Sequence, residues 1–333
     1  MTVRYLILIL TTRCNLSCRY CYNGNETGAD MTPEILGRAF ALASDGSEPL
    51  HVQFTGGEPT LRPDLLAQAA EEARRLSRPV TLAVQTNGTL LTPELLALCQ
   101  TQGIEVGMSL DGPPAINELT RGGSRESFEG LRLLETRGVD FNVTAVLSRA
   151  NVGFIADLPL VLAGFAHARG FGLDLLVKKG RAQVEPVQVG DLAPNIRKLD
   201  ERLVLINRQR TRPLVWREKE LLRDRMAGHQ GDFCHACRGE SLAVRPDGWT
   251  YPCGQTSDSP EFLFGTQTPN ATASSLIRLK LTGPHCRQCA LHGRCPGECP
   301  SRLHYNRGEE AFLICELYRA LNESLEAVLK KQA

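Results

Sequence analysis

Three of the 12 cysteines in this 333-residue chain fall within eight positions, as C-x3-C-x2-C in the run TTRCNLSCRYCYNGN at 11–25. One stands alone at 99, and eight more run from Cys234 to Cys315. The opening MTVRYLILIL has too short an apolar core for a signal peptide and leads directly into Thr11, Thr12 and Arg13. A cytoplasmic setting is therefore expected. Reducing cytosol keeps thiols open, which leaves ligation of a metal or cluster as their main use. The distribution implies two ligating neighbourhoods framing a cysteine-poor middle.

Charge narrows the partners. Lys plus Arg, 38, almost balances Asp plus Glu, 37, with no long run of like sign, so no field recruits nucleic acid or an anionic membrane. No stretch approaches the apolar length that spans a bilayer.

Up to about residue 178 the chain alternates strand-like and helix-like segments, as parallel α/β folds do. Strands are expected at 3–10, 51–55, 80–85, 105–110, 140–147 and 172–177, with helices opening at Thr32-Pro33-Glu34, Arg62-Pro63-Asp64 and Thr92-Pro93-Glu94. Six βα units are fewer than the eight of a closed barrel, so a partial (β/α)6 barrel of the TIM type is expected, with a doubly wound open sheet as the alternative. The domain boundaries follow: the barrel over 1–180, a helical bridge over 181–231 with helices near 191–208 and 216–226, a cysteine-rich region over 232–318, and the end of a last helix over 319–333. In the cysteine-rich region ligation replaces a hydrophobic core.

Cys14, Cys18 and Cys21 lie in the loop after the first strand, on the carboxyl-end rim where α/β enzymes keep their sites. Three thiolates suit three corners of a cubane [4Fe–4S] cluster, whose usual complement is four, and leave one iron open for a ligand. A zinc knuckle or three incidental thiols are the competing readings.

This spacing, with Tyr20 just before the third cysteine, resembles the radical S-adenosylmethionine (radical SAM) superfamily. The resemblance implies that the open iron chelates SAM, whose cleavage by a cluster electron gives a 5′-deoxyadenosyl radical. Phe54-Thr55-Gly56-Gly57-Glu58-Pro59 resembles the GGEP loop that holds the SAM amino group in that family. Asn87, after the third strand, and Ser109, ending the fourth, stand where the family contacts the ribose and carboxylate of SAM. The stretch 119–124 resembles one whose arginine pairs with that carboxylate, which makes Arg121 the candidate.

The C-terminal cysteines are similar in spacing to the SPASM extension carried by a subset of radical SAM proteins. Pro246 to Cys253 shares the look of its hairpin, a turn at Asp247-Gly248 leading into a ligand. The resemblance implies two fully ligated auxiliary [4Fe–4S] clusters, one on Cys234, Cys237, Cys253 and Cys299 and one on Cys286, Cys289, Cys295 and Cys315, for three clusters with SAM in all. Two structural zinc sites are the competing reading, because C-x2-C is also a zinc-ribbon spacing. His235, His285 and His292 are expected as neighbours of ligands, Cys99 as an inert buried thiol, and the Lys178-Lys179 pair as a solvated edge or a substrate contact.

Relatives with such an extension mostly act on ribosomally made peptides or proteins. The expected function is therefore a maturase that crosslinks, excises or oxidises a peptide, fed by an electron donor such as flavodoxin or ferredoxin. Three alternatives stand beside it: a dehydrogenase of a small alcohol or sugar, a sulfatase-maturase-like oxidation of Cys or Ser, and a non-enzymatic zinc scaffold. Sulfatase-maturing relatives resemble each other in an Asp after the hairpin cysteine, where this chain has Gly254. With a strand expected from Val3, either a leader-recognition protein is a separate chain or the barrel mouth and the bridge helices hold the substrate alone.

Overall fold

The computed structural model describes residues 2–23, 28–182, 184–266, 275–279, 284–306 and 308–332, with the backbone alone of 275, 278, 284, 285 and 327–332. Among these residues nine strands form one sheet: β1 (Tyr5–Thr11), β2 (Leu50–Gly56), β3 (Val80–Thr86), β4 (Ile104–Ser109), β5 (Phe141–Leu147), β6 (Ala168–Leu175), β7 (Val215–Trp216), β8 (Ser241–Val244) and β9 (Thr250–Tyr251). Their order is β7-β6-β5-β4-β3-β2-β1-β8-β9, parallel from β7 to β8. A doubly wound sheet reverses direction at a switch point. Here β1 to β6 advance one neighbour at a time, so every crossover turns the same way and the sheet curls into a partial barrel.

Alternation along each strand sorts the two faces. Leu6, Leu8 and Leu10 of β1, Val52 and Phe54 of β2, Val106 and Met108 of β4 and Val143 and Ala145 of β5 join one buried core under the surrounding helices. Each such side chain contributes roughly 1.5–3 kcal/mol of burial. The alternate positions, including Gln53, Thr55, Gln85, Ser109, Thr144 and Asp174, line a cavity. The concave face is thus polar where a closed barrel would be packed.

Sequence signals set the helices. Thr32 Oγ1 accepts from the Ile35 N–H at 3.4 Å to cap α1 (Pro33–Leu42), and Thr92 Oγ1 accepts from Leu95 N–H at 3.2 Å to cap α3 (Pro93–Gln102). Between them lies α2 (Pro63–Arg74), and α4 (Pro114–Thr120), α5 (Ser124–Thr136) and α6 (Leu158–Ala163) follow. The bridge carries α7 (Leu192–Asn207) and α8 (Arg217–Met226).

β6 begins four residues before its expected start because Gly170 and Gly172 blur the apolar pattern there. A Cβ on Gly170 would stand 2.3 Å from the Val215 carbonyl, and one on Gly172 2.5 Å from the Arg217 guanidinium. Both glycines let the bridge approach the strand. The four-residue β8, unexpected from sequence, adds to the free edge of β1 in the register Tyr5↔Ser241 to Leu8↔Val244. The cysteine-rich region is therefore fixed to the barrel by backbone pairing. It also contains α9 (His235–Arg238), α10 (Pro284–Arg287) and α11 (Pro300–Tyr305). The last helix, α12 (Leu313–Gln332), places Leu313, Leu317 and Leu321 in the main core. No helix among the described residues is long and apolar enough to cross a membrane.

Candidate active site

The first cysteine loop leaves β1 and is held by its neighbours' backbones. Gly57 N–H donates to the Thr11 carbonyl and Glu58 N–H to the Arg13 carbonyl, both at 2.8 Å. A Cβ on Gly56 would lie 2.2 Å from Thr11 O and one on Gly57 2.1 Å from Arg13 O, so only glycines let the two loops touch. On the other side Arg19 N–H donates to Thr120 O at 3.0 Å. Cys14 is exposed, Cys18 and Cys21 half-buried, and none is in a disulfide. Burial pushes the Cys14 thiol up to about 11 and raises Cys18, an effect that Arg121 partly offsets.

Glu58 is 1% exposed and acts as a brace. Its Oε1 accepts from Thr60 N–H at 3.1 Å and from the Thr60 and Thr86 hydroxyls at 2.6 Å, while Oε2 accepts from Asn87 N–H at 2.7 Å. Asn87 Nδ2 in turn donates to Asn15 Oδ1 at 3.0 Å, tying the end of β3 to the cysteine loop. Ser109 Oγ accepts from Gln85 Nε2 at 2.9 Å on the concave face.

Arg121 has a side chain 10% exposed, donates to the Tyr20 hydroxyl and stands 4.0 Å from Asp111 Oδ1. Burial alone would lower its pKa, but Tyr20, Cys18 and Asp111 outweigh that and keep the guanidinium charged. Asp111 is spoken for, its Oδ1 taking Val146 N–H at 3.0 Å and its Oδ2 the Thr120 hydroxyl at 2.8 Å. Arg121 Nε is buried with no partner. A planar donor held beside the cysteine loop with an orphaned N–H fits a carboxylate ligand.

Cys14, Cys18 and Cys21 share one cavity of about 1110 Å³ with Gly56, Gly57, Glu58, Asn87, Ser109 and Arg121. Every SAM-contact candidate from the sequence reaches it, Tyr20 included. So do Cys234, Cys253 and Cys299 of the C-terminal region.

Residues 8–150 match the Radical SAM superfamily. The chain carries a radical SAM domain. The chain is similar to a serine-type anaerobic sulfatase-maturating enzyme of Klebsiella aerogenes, 27% identical over 321 residues that cover 87% of this chain and 78% of that one. The fold resembles native anSMEcpe with bound AdoMet, at a TM-score of 0.80 and 20% identity over 98% of both chains. It also resembles Streptococcus suis SuiB bound to precursor peptide SuiA, at a TM-score of 0.68 and 16% identity over 93% of this chain and 74% of that one. A radical SAM domain implies a [4Fe–4S] cluster and SAM, and the three thiols beside an unpartnered guanidinium Nε suit both.

Outside the radical SAM match, eight cysteines lie in the C-terminal region. Cys234 Sγ lies 3.7 Å from Cys237 Sγ, and the proton they share leaves Cys237 the more easily ionised of the two. Burial and then the nearby Cys299 push Cys253 up to about 12. Burial and then Cys295 push Cys315 up to about 12, with Cys286 and Cys289 adding to it. Among the described residues no three Cys, His, Asp or Glu side chains close around a single-ion site. His235 Nδ1 pairs with Glu240 at 3.1 Å, and its ring stacks on Tyr5 at 5.6 Å. The His285 side chain lies outside the described residues. Burial pushes the Cys99 thiol up to about 11, inside the core.

Of the Lys178-Lys179 pair, Lys178 is exposed, as a solvated edge would be, while the Lys179 side chain is largely buried. Lys178 Nζ pairs with Glu310 and Lys179 Nζ with Asp258, each at 2.6 Å, so both clamp β6 to the C-terminal region. Sequence reasoning missed the residues on the cavity wall nearest that region. Asp174 Oδ1 accepts from Arg217 Nη2 at 3.0 Å and lies 3.7 Å from Arg302 Nη1, and the two arginines hold the carboxylate below its ordinary range although burial opposes them. Arg181 lines the same cavity with a buried Nε that has no partner. An acidic residue at an alternate, concave-face position of β6 was the available signal for Asp174. Arg217 and Arg302 arrive from separate helices and left none.

Proposed function

We propose that this protein is a radical SAM maturase of the SPASM type, which abstracts hydrogen from a ribosomal peptide or protein and leaves a crosslink, an excision or an oxidised residue. The observation that carries the reading is one cavity lined both by Cys14, Cys18 and Cys21 and by Cys234, Cys253 and Cys299. A substrate there would meet both cysteine groups. In this reading Cys14, Cys18 and Cys21 hold one [4Fe–4S] cluster, Cys234, Cys237, Cys253 and Cys299 a second, and Cys286, Cys289, Cys295 and Cys315 a third.

Bound together, the first cluster and SAM supply a 5′-deoxyadenosyl radical. The chain's own residues position and exclude. Arg121 would pair with the SAM carboxylate, the Gly56 and Gly57 carbonyls and the Glu58 brace would define the place of its amino group, and Ser109 and Asn87 would contact its ribose and carboxylate. A flavodoxin or ferredoxin supplies the electron. The SuiB complex with SuiA supports a peptide occupant, since a precursor peptide fits a chain of this fold.

Oxidation of a Cys or Ser in a sulfatase is a second reading, favoured by the Klebsiella relative. Gly254 stands where those relatives share an Asp, and Asp174 is the carboxylate this cavity offers in its place. The test is anaerobic turnover under dithionite with short Cys- and Ser-containing peptides in parallel with free sugars. Formation of 5′-deoxyadenosine with a mass change in a peptide supports the proposal. Oxidation of a sugar with every peptide inert contradicts it.

A further inference from the structure

We infer that Ser301 sets the reduction potential of the auxiliary cluster next to the cavity, through a hydrogen bond to the Cys299 sulfur for which Gln255 competes. The inference rests on the ligation by Cys234, Cys237, Cys253 and Cys299 proposed above.

Ser301 lies in the first turn of α11, two residues beyond Cys299, and is 0% exposed. Its Oγ is 3.0 Å from Cys299 Sγ and also donates to Gln255 Oε1. Gln255 Oε1 is itself 3.6 Å from the same sulfur, and the Gln255 side chain lines the cavity. A hydroxyl has one proton. Two acceptors, a thiolate and an amide carbonyl, compete for the proton of this fully buried hydroxyl.

The electron added on reduction increases the negative charge on the cluster's sulfurs, and a donor aimed at a ligating sulfur stabilises that charge and raises the potential. Buried surroundings strengthen the effect. Gln255 draws part of the donor away. Because Gln255 faces the cavity, a substrate that takes its carbonyl would hand the proton back to sulfur.

The test is a potentiometric EPR titration of the reconstituted holoenzyme with dithionite, following the signal that persists when Cys14, Cys18 and Cys21 are all alanine. Ser301→Ala is expected to make reduction about tenfold harder, a downward shift of about 59 mV for a one-electron couple. Ser301→Thr keeps the hydroxyl and holds the wild-type potential, which separates the hydrogen bond from packing. Gln255→Ala moves the potential upward. A Ser301→Ala protein with about twelve irons per chain and an unshifted potential overturns the inference alone. A wild-type chain with only about four irons and no persisting signal removes the proposed auxiliary ligation together with it.

Discussion

Arg121 lies over the Tyr20 ring, its guanidinium carbon 5.7 Å from the ring centroid, and so binds α4's end to the cysteine loop. The contact holds the guanidinium in place, with Nε buried and without a partner. One residue thus joins the structure of the loop to the place proposed above for the SAM carboxylate.

Arg121→Ala is expected to weaken SAM binding about 10- to 150-fold, from ~1.5–3 kcal/mol for charge-assisted hydrogen bonds. Arg121→Lys keeps the charge without the two-pronged donor and falls between. Calorimetric titration of the reconstituted protein measures both, and a wild-type affinity in Arg121→Ala would remove the assigned role.

Gly57→Ala puts a methyl group 2.1 Å from the Arg13 carbonyl, so the loop must shift. The expected cost is ~1–3 kcal/mol, with the first cluster lost and the eight C-terminal cysteines undisturbed. Iron analysis should fall by about four per chain. An unchanged iron content would show that the loop contact does not support ligation.

The fold was legible in the sequence where local and global signals agreed. Thr32 and Thr92 announce their helices, and the β2, β3, β4 and β5 strands fall within a residue of expectation because their alternation is regular. β8 was hidden because Ser241–Val244 is short and earns its place only by pairing with β1, a contact more than 230 residues away in the chain. The site was legible where ligand chemistry dictates spacing within one loop. Cavity-wall residues such as Asp174, Arg217 and Arg302 come from three distant segments, and nothing local marks their convergence.

His51 gives a pH dependence of definite sign. Burial lowers its pKa from the ordinary 6.5, only partly countered by the Gln53 hydrogen bond. The ring stacks on Tyr5 at 4.8 Å and meets Thr81 Oγ1 at 2.9 Å. Since the unfolded chain binds the proton more readily, this contribution is whole above about pH 6.5 and lost as pH falls toward the folded pKa. Tm measured from pH 5 to 7.5 should drop less steeply in His51→Gln than in the wild type, and parallel curves would contradict it.

Asn306 joins the C-terminal region to the end of β6. Its Nδ2 donates to Leu176 O at 2.7 Å and its Oδ1 accepts from Lys178 N–H at 2.9 Å. Asn306→Leu strands both backbone groups and should cost ~2–6 kcal/mol, from ~1–3 for each. Urea unfolding checks this, and a loss within ~0.5 kcal/mol would show that the clamp is dispensable.

The proposed ligation of a cluster with one open iron by Cys14, Cys18 and Cys21 is tested most directly by 5′-deoxyadenosine release under dithionite, with iron counted in the same samples. The wild type should release it and carry about twelve irons, while the triple alanine variant should release none and carry about eight. Release from the triple variant would contradict the account.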